Sequence, residues 1–307
     1  MNKYPLDLQE LEQELGTAKQ CFDYLYPLRW PDGYRCPQCQ HSEAWKIGDH
    51  KYKCKNKNPM CRHQTTVITE TMFSRTHLQL PLWFRAIWLA TTQKGGTSAL
   101  WLQKELEIGS YRTAWTVLQK IRKAMSFSDQ SKLQGTILVD HFSIMVNDDG
   151  FPDEKHPVLI AVEVNEKKIG RIRMSKIDCE ATEAPFKIAR FIQRCVEPSN
   201  CILRTDDNDN IKLDQLPEDI YPRRNRNKKE GNENYKAVRK VITYLEESRL
   251  LGSPPCICMG EEHFDLYLNE CCFKFNRRHY KCRGKMFYDL LKIAVSDVYW
   301  EKERSSR

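Results

Sequence analysis

Apolar residues recur at close to helical spacing near the start of the chain: Leu8, Leu11, Leu15, Ala18, Cys21, Phe22 and Leu25. That period predicts one helix over residues 6–27, stopped at Arg29-Trp30-Pro31-Asp32-Gly33, where proline and glycine break the ladder. Residues 34–70 lose the helical period. Short runs of Tyr, Trp, Val, Ile and Thr sit there between cysteines, which predicts small hairpins. Helical patterning returns over 76–127. Pro81 opens a helix carrying Trp83, Ile87, Trp88 and Ala90, and Lys94-Gly95-Gly96 ends it. Thr97 or Ser98 caps the next helix, 99–106, by accepting orphan backbone N–H bonds. Gly109 and Ser110 then turn into a third, 111–125.

After Gly135 the pattern becomes that of strands. Residues 136–146, 157–164 and 170–177 read as three successive strands, with Asn147-Asp148-Asp149-Gly150 turning between the first two. A helix follows over 184–195, then a short buried-type strand at 201–205. The stretch 223–240 is basic, with Arg223, Arg224, Arg226, Lys228 and Lys229 in its first part. It leads into a helix over 234–251, and two more helices are predicted at 263–276 and 285–298. The whole pattern is α/β.

Composition narrows the function classes. Hydrophobic residues make up 40% and charged residues 29%, which is ordinary globular usage. No apolar run approaches the ~18–20 residues of a membrane span; the best, 80–90, carries Arg85. The first residues hold spaced acids and no apolar stretch, so no secretory signal is expected. Lys and Arg total 49 against 41 acids, a net charge of +8 that favours an anionic partner without naming one. Thirteen cysteines, an odd number, point to reduced thiols with bound metal rather than a disulfide scaffold.

Cys36-Pro-Gln-Cys39 is followed by Cys54 and Cys61. Zinc needs four ligands at tetrahedral corners, and two cysteine turns on two hairpins supply them. The second pair is wider than CxxC, so His63 stands as the alternative to Cys61. Four protein ligands close the shell, which makes such a zinc structural. Residues 94–125 have the form of a helix-turn-helix, with Arg112, Lys120, Arg122 and Lys123 on the second helix as candidate phosphate and groove contacts. A plain helical linker with solvated charges fits the same periodicity. Asp140 ends the apolar run Ile137-Leu138-Val139, where a carboxylate is seldom placed without a partner or a metal. Asp206 and Asp207 repeat the theme after Cys201-Ile202-Leu203, and Glu246 and Glu247 are candidates for a third acid on a later helix. Such carboxylates could hold Mg²⁺ or Mn²⁺ for phosphoryl transfer. Glu246 is the favoured third acid, because it shares a helical face with Ile242 and Leu250 that should pack on the sheet. His141 should point away from Asp140, to the opposite face of the strand.

Several stretches together resemble a group of prokaryotic insertion-sequence transposases with an N-terminal zinc ribbon, a helix-turn-helix and a DDE-type catalytic domain. They are LRWPDGYRCPQC (28–39), TTVITETMFSRTHLQLPLWFRAIW (65–88), KGGTSALWLQKELEIGSYRTAW (94–115), LQGTILVD (133–140) and YLNECCFKFNRR (267–278). The resemblance implies an RNase H-like mixed sheet flanked by helices, preceded by a zinc ribbon and a small helical domain. The divisions it implies are an N-terminal helical segment (1–33), the ribbon (34–72), the helix-turn-helix domain (73–132) and the catalytic domain (133–300). It places the first catalytic Asp on Asp140 and the second on Asp206, with Glu246 or Glu247 third. It implies binding to terminal inverted repeats and target DNA, metal-dependent cleavage and strand transfer, a homo-oligomer on DNA, no membrane and a cytoplasmic setting. The chain departs from the group in having His141 where the group has Glu, and in lacking the Asn and the Thr-His-His near 243–256. Those departures leave open a binding-only protein derived from a transposase. A zinc-ribbon module that contacts protein is a third class.

Overall fold

The helix expected over 6–27 is two helices: α1 (Leu8–Leu15) and α2 (Ala18–Arg29). The apolar period runs through the break, but the local chemistry does not. Thr17 forms a capping box with Gln20, so each satisfies an orphan backbone donor of the other. At Gly16 a Cβ would sit 2.3 Å from the Glu12 carbonyl oxygen, so a larger residue could not make the junction.

The computed structural model describes residues 4–57, 61–129, 131–146, 154–165, 168–177, 184–204, 233–251, 261–296 and 299. The chain divides into two units, Met1–Thr92 with Ala99–Ser128 and Tyr280–Arg307, and Gln93–Ser98 with Asp129–His279.

Unit 1 contains α1, α2, a three-stranded sheet β1 (Ala44–Gly48), β2 (Lys51–Cys54) and β3 (Gln64–Thr66), then α3 (Leu80–Thr92), α4 (Ala99–Glu105) and α5 (Tyr111–Ser126). A later helix, α9 (Gly284–Ala294), packs here too. Helix α3 is the hub. Trp83, Phe84, Ala86, Ile87, Trp88 and Ala90 are all buried. A helix apolar on nearly every side belongs in the middle of a core.

Unit 2 is a four-stranded mixed sheet in the order β6-β5-β4-β7, formed by β4 (Leu133–Val146), β5 (Glu154–Asn165), β6 (Lys168–Lys176) and β7 (Val196–Arg204). The first three strands meander antiparallel, and β7 runs parallel to β4. Strand β7 starts earlier than its apolar run suggests, directly after α6 (Ala184–Cys195), because Val196 pairs with Leu133. The register shifts between Leu133 and Gly135, and Gly135 adopts φ +81, a conformation that glycine takes without strain.

Side-chain alternation along β4 and β5 separates two cores. Leu138, Ile144, Val158, Ile160 and Val162 face α7 (Glu233–Glu247) and α8 (Glu261–Asn276). Ile137, Val139, Leu159 and Ala161 face α6. Three buried ionic groups tie this unit together. Glu163 accepts from both Arg171 and the Gln134 amide. Burial pushes the Glu163 carboxyl up, but these donors outweigh it and hold the group below its usual value. Asp129 accepts from Asn276 and Arg277 and pairs with Arg173. Lys274 donates to Glu270 at 2.9 Å and to the Gly95 carbonyl, while the same Glu270 oxygen accepts from the Thr97 amide. Thus the Gln93–Ser98 segment is held in unit 2 by a charge pair only 1% and 7% exposed.

Removing one partner of a buried pair strands the other charge, at a cost of about 3–5 kcal/mol. Lys274→Met should therefore lower the urea-unfolding free energy of the full chain by that order. Combining it with Glu270→Gln should restore a large part of the loss. A single variant as stable as the parent would show that the pair does not hold the segment.

Candidate metal centre and the acidic strand

The ribbon's strands are short and mostly exposed, so little apolar burial holds them. What they position is a cluster of sulfurs. Cys36 and Cys39 lie on a turn in which the Cys36 amide donates to His41 O and the Gln40 amide to Cys36 O. Gln40 adopts φ +59 to close it. Cys54 ends β2, and Cys61 reaches back by donating its amide to Asn56 O. The Cys36 and Cys61 sulfurs are 3.8 Å apart and those of Cys39 and Cys54 are 3.5 Å apart. One ligand atom from each of the four residues lies within 4.8 Å of the others. Four sulfurs about 2.3 Å from a central ion sit roughly 3.8 Å from one another, so the set fits tetrahedral zinc. The four residues that could hold such an ion are Cys36, Cys39, Cys54 and Cys61. His63 is not among them; its backbone oxygen accepts from the Cys54 amide instead.

The thiols are already polarised. The His41 amide, with help from Asn56 and the neighbouring sulfurs, brings Cys39 down to about 6, against the effect of burial. Burial pushes Cys54 up to about 12. The two sulfurs are within hydrogen-bonding distance of each other, and a bound dication would favour the thiolate form of both. Outside the cluster, Arg29 at the end of α2 donates to the carbonyls of Thr66, Val67 and Thr69. Tyr26, Trp30, Tyr34 and Tyr52 form an aromatic group with ring centroids 5.1–5.7 Å apart. Neither feature was foreseen. The aromatic density around 24–34 was the signal that could have pointed to it.

Asp140 is half-buried on β4, opposite Ile160 of β5. Its position in the alternation puts it on the Leu138 and Ile144 side, the face covered by α7 and α8. Its Oδ1 accepts from the His141 amide at 2.7 Å. His141 takes the other parity of the strand, as expected. Strand β7 runs beside β4 and ends at Arg204, level with Leu138. Asp206 and Asp207 lie outside the described residues.

The expectation for Glu246 needs correction. The buried side of α7 runs through Val238, Val241 and Leu245, while Glu246 and Glu247 are both exposed. The helix ends at Glu247, so Leu250 reaches the core from the following turn and does not extend a face through Glu246. Two of the basic candidates are also placed differently from expectation. Arg122 is only 2% exposed, on the inner side of α5 with Ala114, Leu118 and Met125. Lys120 donates to the carbonyls of Met72 and Ser74. Arg112 is exposed and Lys123 half-buried. Arg223, Arg224, Arg226, Lys228 and Lys229 lie outside the described residues. Among the described residues no helix is long and apolar enough to cross a membrane.

Zinc content checks the cluster. The purified chain should carry one equivalent, and Cys39→Ser or Cys54→Ser should lose it. Acidification should release it as well, because protons compete for the four thiolates. Full retention of zinc in both serine variants would reject the four-sulfur centre.

Residues 16–64 match the family described as a transposase zinc-ribbon domain, a span that takes in all four cysteines. Over 132 residues the chain is 25% identical to an uncharacterized protein in transposable element ISH50 of Halobacterium salinarum. That match covers 42% of each protein, so the chain spans about two fifths of the length of this curated relative. The chain is therefore similar to a transposase zinc ribbon over residues 16–64 and, over 132 residues, to a protein of a transposable element.

Proposed function

We propose that this chain is the DNA transposase of an insertion sequence. The observation that carries the reading is the four-cysteine centre inside the span that matches a transposase zinc ribbon. In this reading the ribbon and the α4–α5 helix-turn-helix bind terminal inverted repeats, and unit 2 is an RNase H-like catalytic domain bounded near residues 133–300. The strand order β6-β5-β4-β7, with a parallel fourth strand, supports that fold. So does a carboxylate on the central strand, facing the helices.

Asp140 would hold the catalytic cation with Asp206, which follows the end of β7 by two residues. Bound Mg²⁺ or Mn²⁺ would supply charge to stabilise the attacking and leaving oxygens. Asp140 suits the task because its backbone is paired with Ile160 of β5, two residues beyond the point where β7 pairs with β4 at Leu138. A water, then a DNA 3′-hydroxyl, would attack the phosphodiester in line. The protein would work as a homo-oligomer on DNA in the cytoplasm.

A second reading, a binding-only protein derived from a transposase, is favoured by one observation: neither Glu246 nor Glu247 turns toward the core face on which Asp140 lies.

Strand cleavage of DNA carrying the element's own ends, with Mg²⁺ or Mn²⁺, separates the two. Asp140→Ala and Asp206→Ala should each abolish cleavage, and His141→Ala should keep most of it. Glu246→Ala should also be largely tolerated, given its exposure. Undiminished cleavage by Asp140→Ala would sink the catalytic reading. A wild-type protein that binds the ends and never cuts would establish the second.

A further inference from the structure

In unit 1, a cleft of roughly 280 Å³ opens between the loop before α3 and the first turns of α5. Arg75 and His77 from the loop, Trp83 from α3, and Arg112, Thr113 and Lys120 from α5 line it. Not one lining residue is acidic. Lys120 is engaged with the Met72 and Ser74 carbonyls, but its charge still contributes to the local field. Arg75, His77 and Arg112 are exposed, and among the described residues no carboxylate pairs with any of them.

That arrangement is unfavourable for an empty cleft. Like charges gathered around a concavity repel, and the low-dielectric wall at Trp83 concentrates their field. The backbone is committed to it as well. Arg75 is held at φ +55, a region few arginines adopt, by a turn in which the Thr71 amide donates to Ser74 Oγ and the Ser74 amide to Thr71 O. By contrast, Arg171 meets Glu163, and Arg173 and Arg277 meet Asp129, in unit 2.

We propose that this cleft seats the phosphate backbone of duplex DNA, with Arg75 from the loop and Arg112 from α5 each neutralising a phosphate. The proposal rests on the DNA-binding part of the function argued above and adds the contacts. Two guanidinium groups suit phosphate oxygens, and the Thr113 and Thr116 hydroxyls beside them are further short polar groups. Backbone contacts of this kind fix position and carry no sequence information. The cleft is thus a positioning surface, and base reading has to come from elsewhere on the protein.

The experiment follows the anisotropy of two labelled duplexes of unrelated sequence, titrated with the zinc-loaded full chain across salt concentrations. Losing two phosphate contacts should weaken binding about tenfold and reduce the slope of log K against log salt by about two. Arg75→Gln/Arg112→Gln should show both changes equally on the two sequences. The control Lys281→Gln/Lys292→Gln, exposed lysines elsewhere in the same unit, should show neither. Arg75→Lys/Arg112→Lys should retain most of the slope, because the charge stays. Unchanged zinc content and thermal midpoint establish that the cleft variant is folded. Wild-type affinity and slope in the cleft variant would overturn the proposal while leaving DNA binding intact, as would an equal loss in the lysine control. A loss confined to one sequence would also overturn it, since the cleft would then read bases. A wild-type chain that binds neither duplex would remove the DNA-binding reading itself, and the cleft's role with it.

Discussion

A one-residue slip of β4 against its neighbours would turn both cores of unit 2 inside out. The strand has partners on each side, and its alternate residues feed two different apolar layers. Ile137 and Val139 would leave the α6 layer, and Leu138 and Ile144 would leave the α7–α8 layer. Register is therefore fixed by burial on both faces, more firmly than in a sheet with one wet side. Asp140 inherits that precision. It occupies a position whose height and direction are set by hydrophobic pairing above and below it in the strand, and rigid placement of this kind is what a catalytic or metal-holding carboxylate needs.

Unit 1 solves a different problem. Its small sheet has three strands of three to five residues, and Trp45 and Ile47 on β1 point into solvent. Apolar burial of that size cannot order the hairpins alone. A metal held by the four sulfurs would supply the missing constraint, since metal binding energy in such modules is folding energy. Arg29 adds to it by crosslinking the end of α2 to three carbonyls after β3. A metal at the four sulfurs would fasten the ribbon at one place, and the Arg29 guanidinium holds it at another.

What could be read from the sequence followed the range over which the signal acts. The cysteine cluster was legible because its ligands come in two local groups, each closed by a short turn. The three meandering strands were legible because a period of two over many residues has few other readings. Asp140 on a strand, with His141 on the opposite parity, followed from the same period. The α1–α2 break was hidden because the apolar period continues through it; Thr17-x-x-Gln20 was the only local sign. Glu246 was misplaced because Leu250 was counted as part of a helix that stops at Glu247. Glu163 and Glu270 gave no sign at all. Their partners, Arg171 and Lys274, matter through tertiary packing, and a charged residue inside a strand or helix looks the same whether it is solvated or buried.

Arg122 shows how far charge alone can mislead. It was assigned to the surface by residue type, although it stands at the spacing of Ala114, Leu118 and Met125 and so lies on the buried stripe of α5. Its long apolar stem can cover core surface while the head finds partners. The same holds across the molecule: Lys120, Lys274, Arg171 and Arg277 are all committed to carbonyls or carboxylates within their own unit. A net charge of +8 is therefore not a measure of what the protein offers to an anion. The informative quantity is the positive charge left over once internal partners are assigned. Arg75 and Arg112 belong to that remainder and line one cleft that has no acidic residue in its wall, and there the excess charge becomes an argument about a partner.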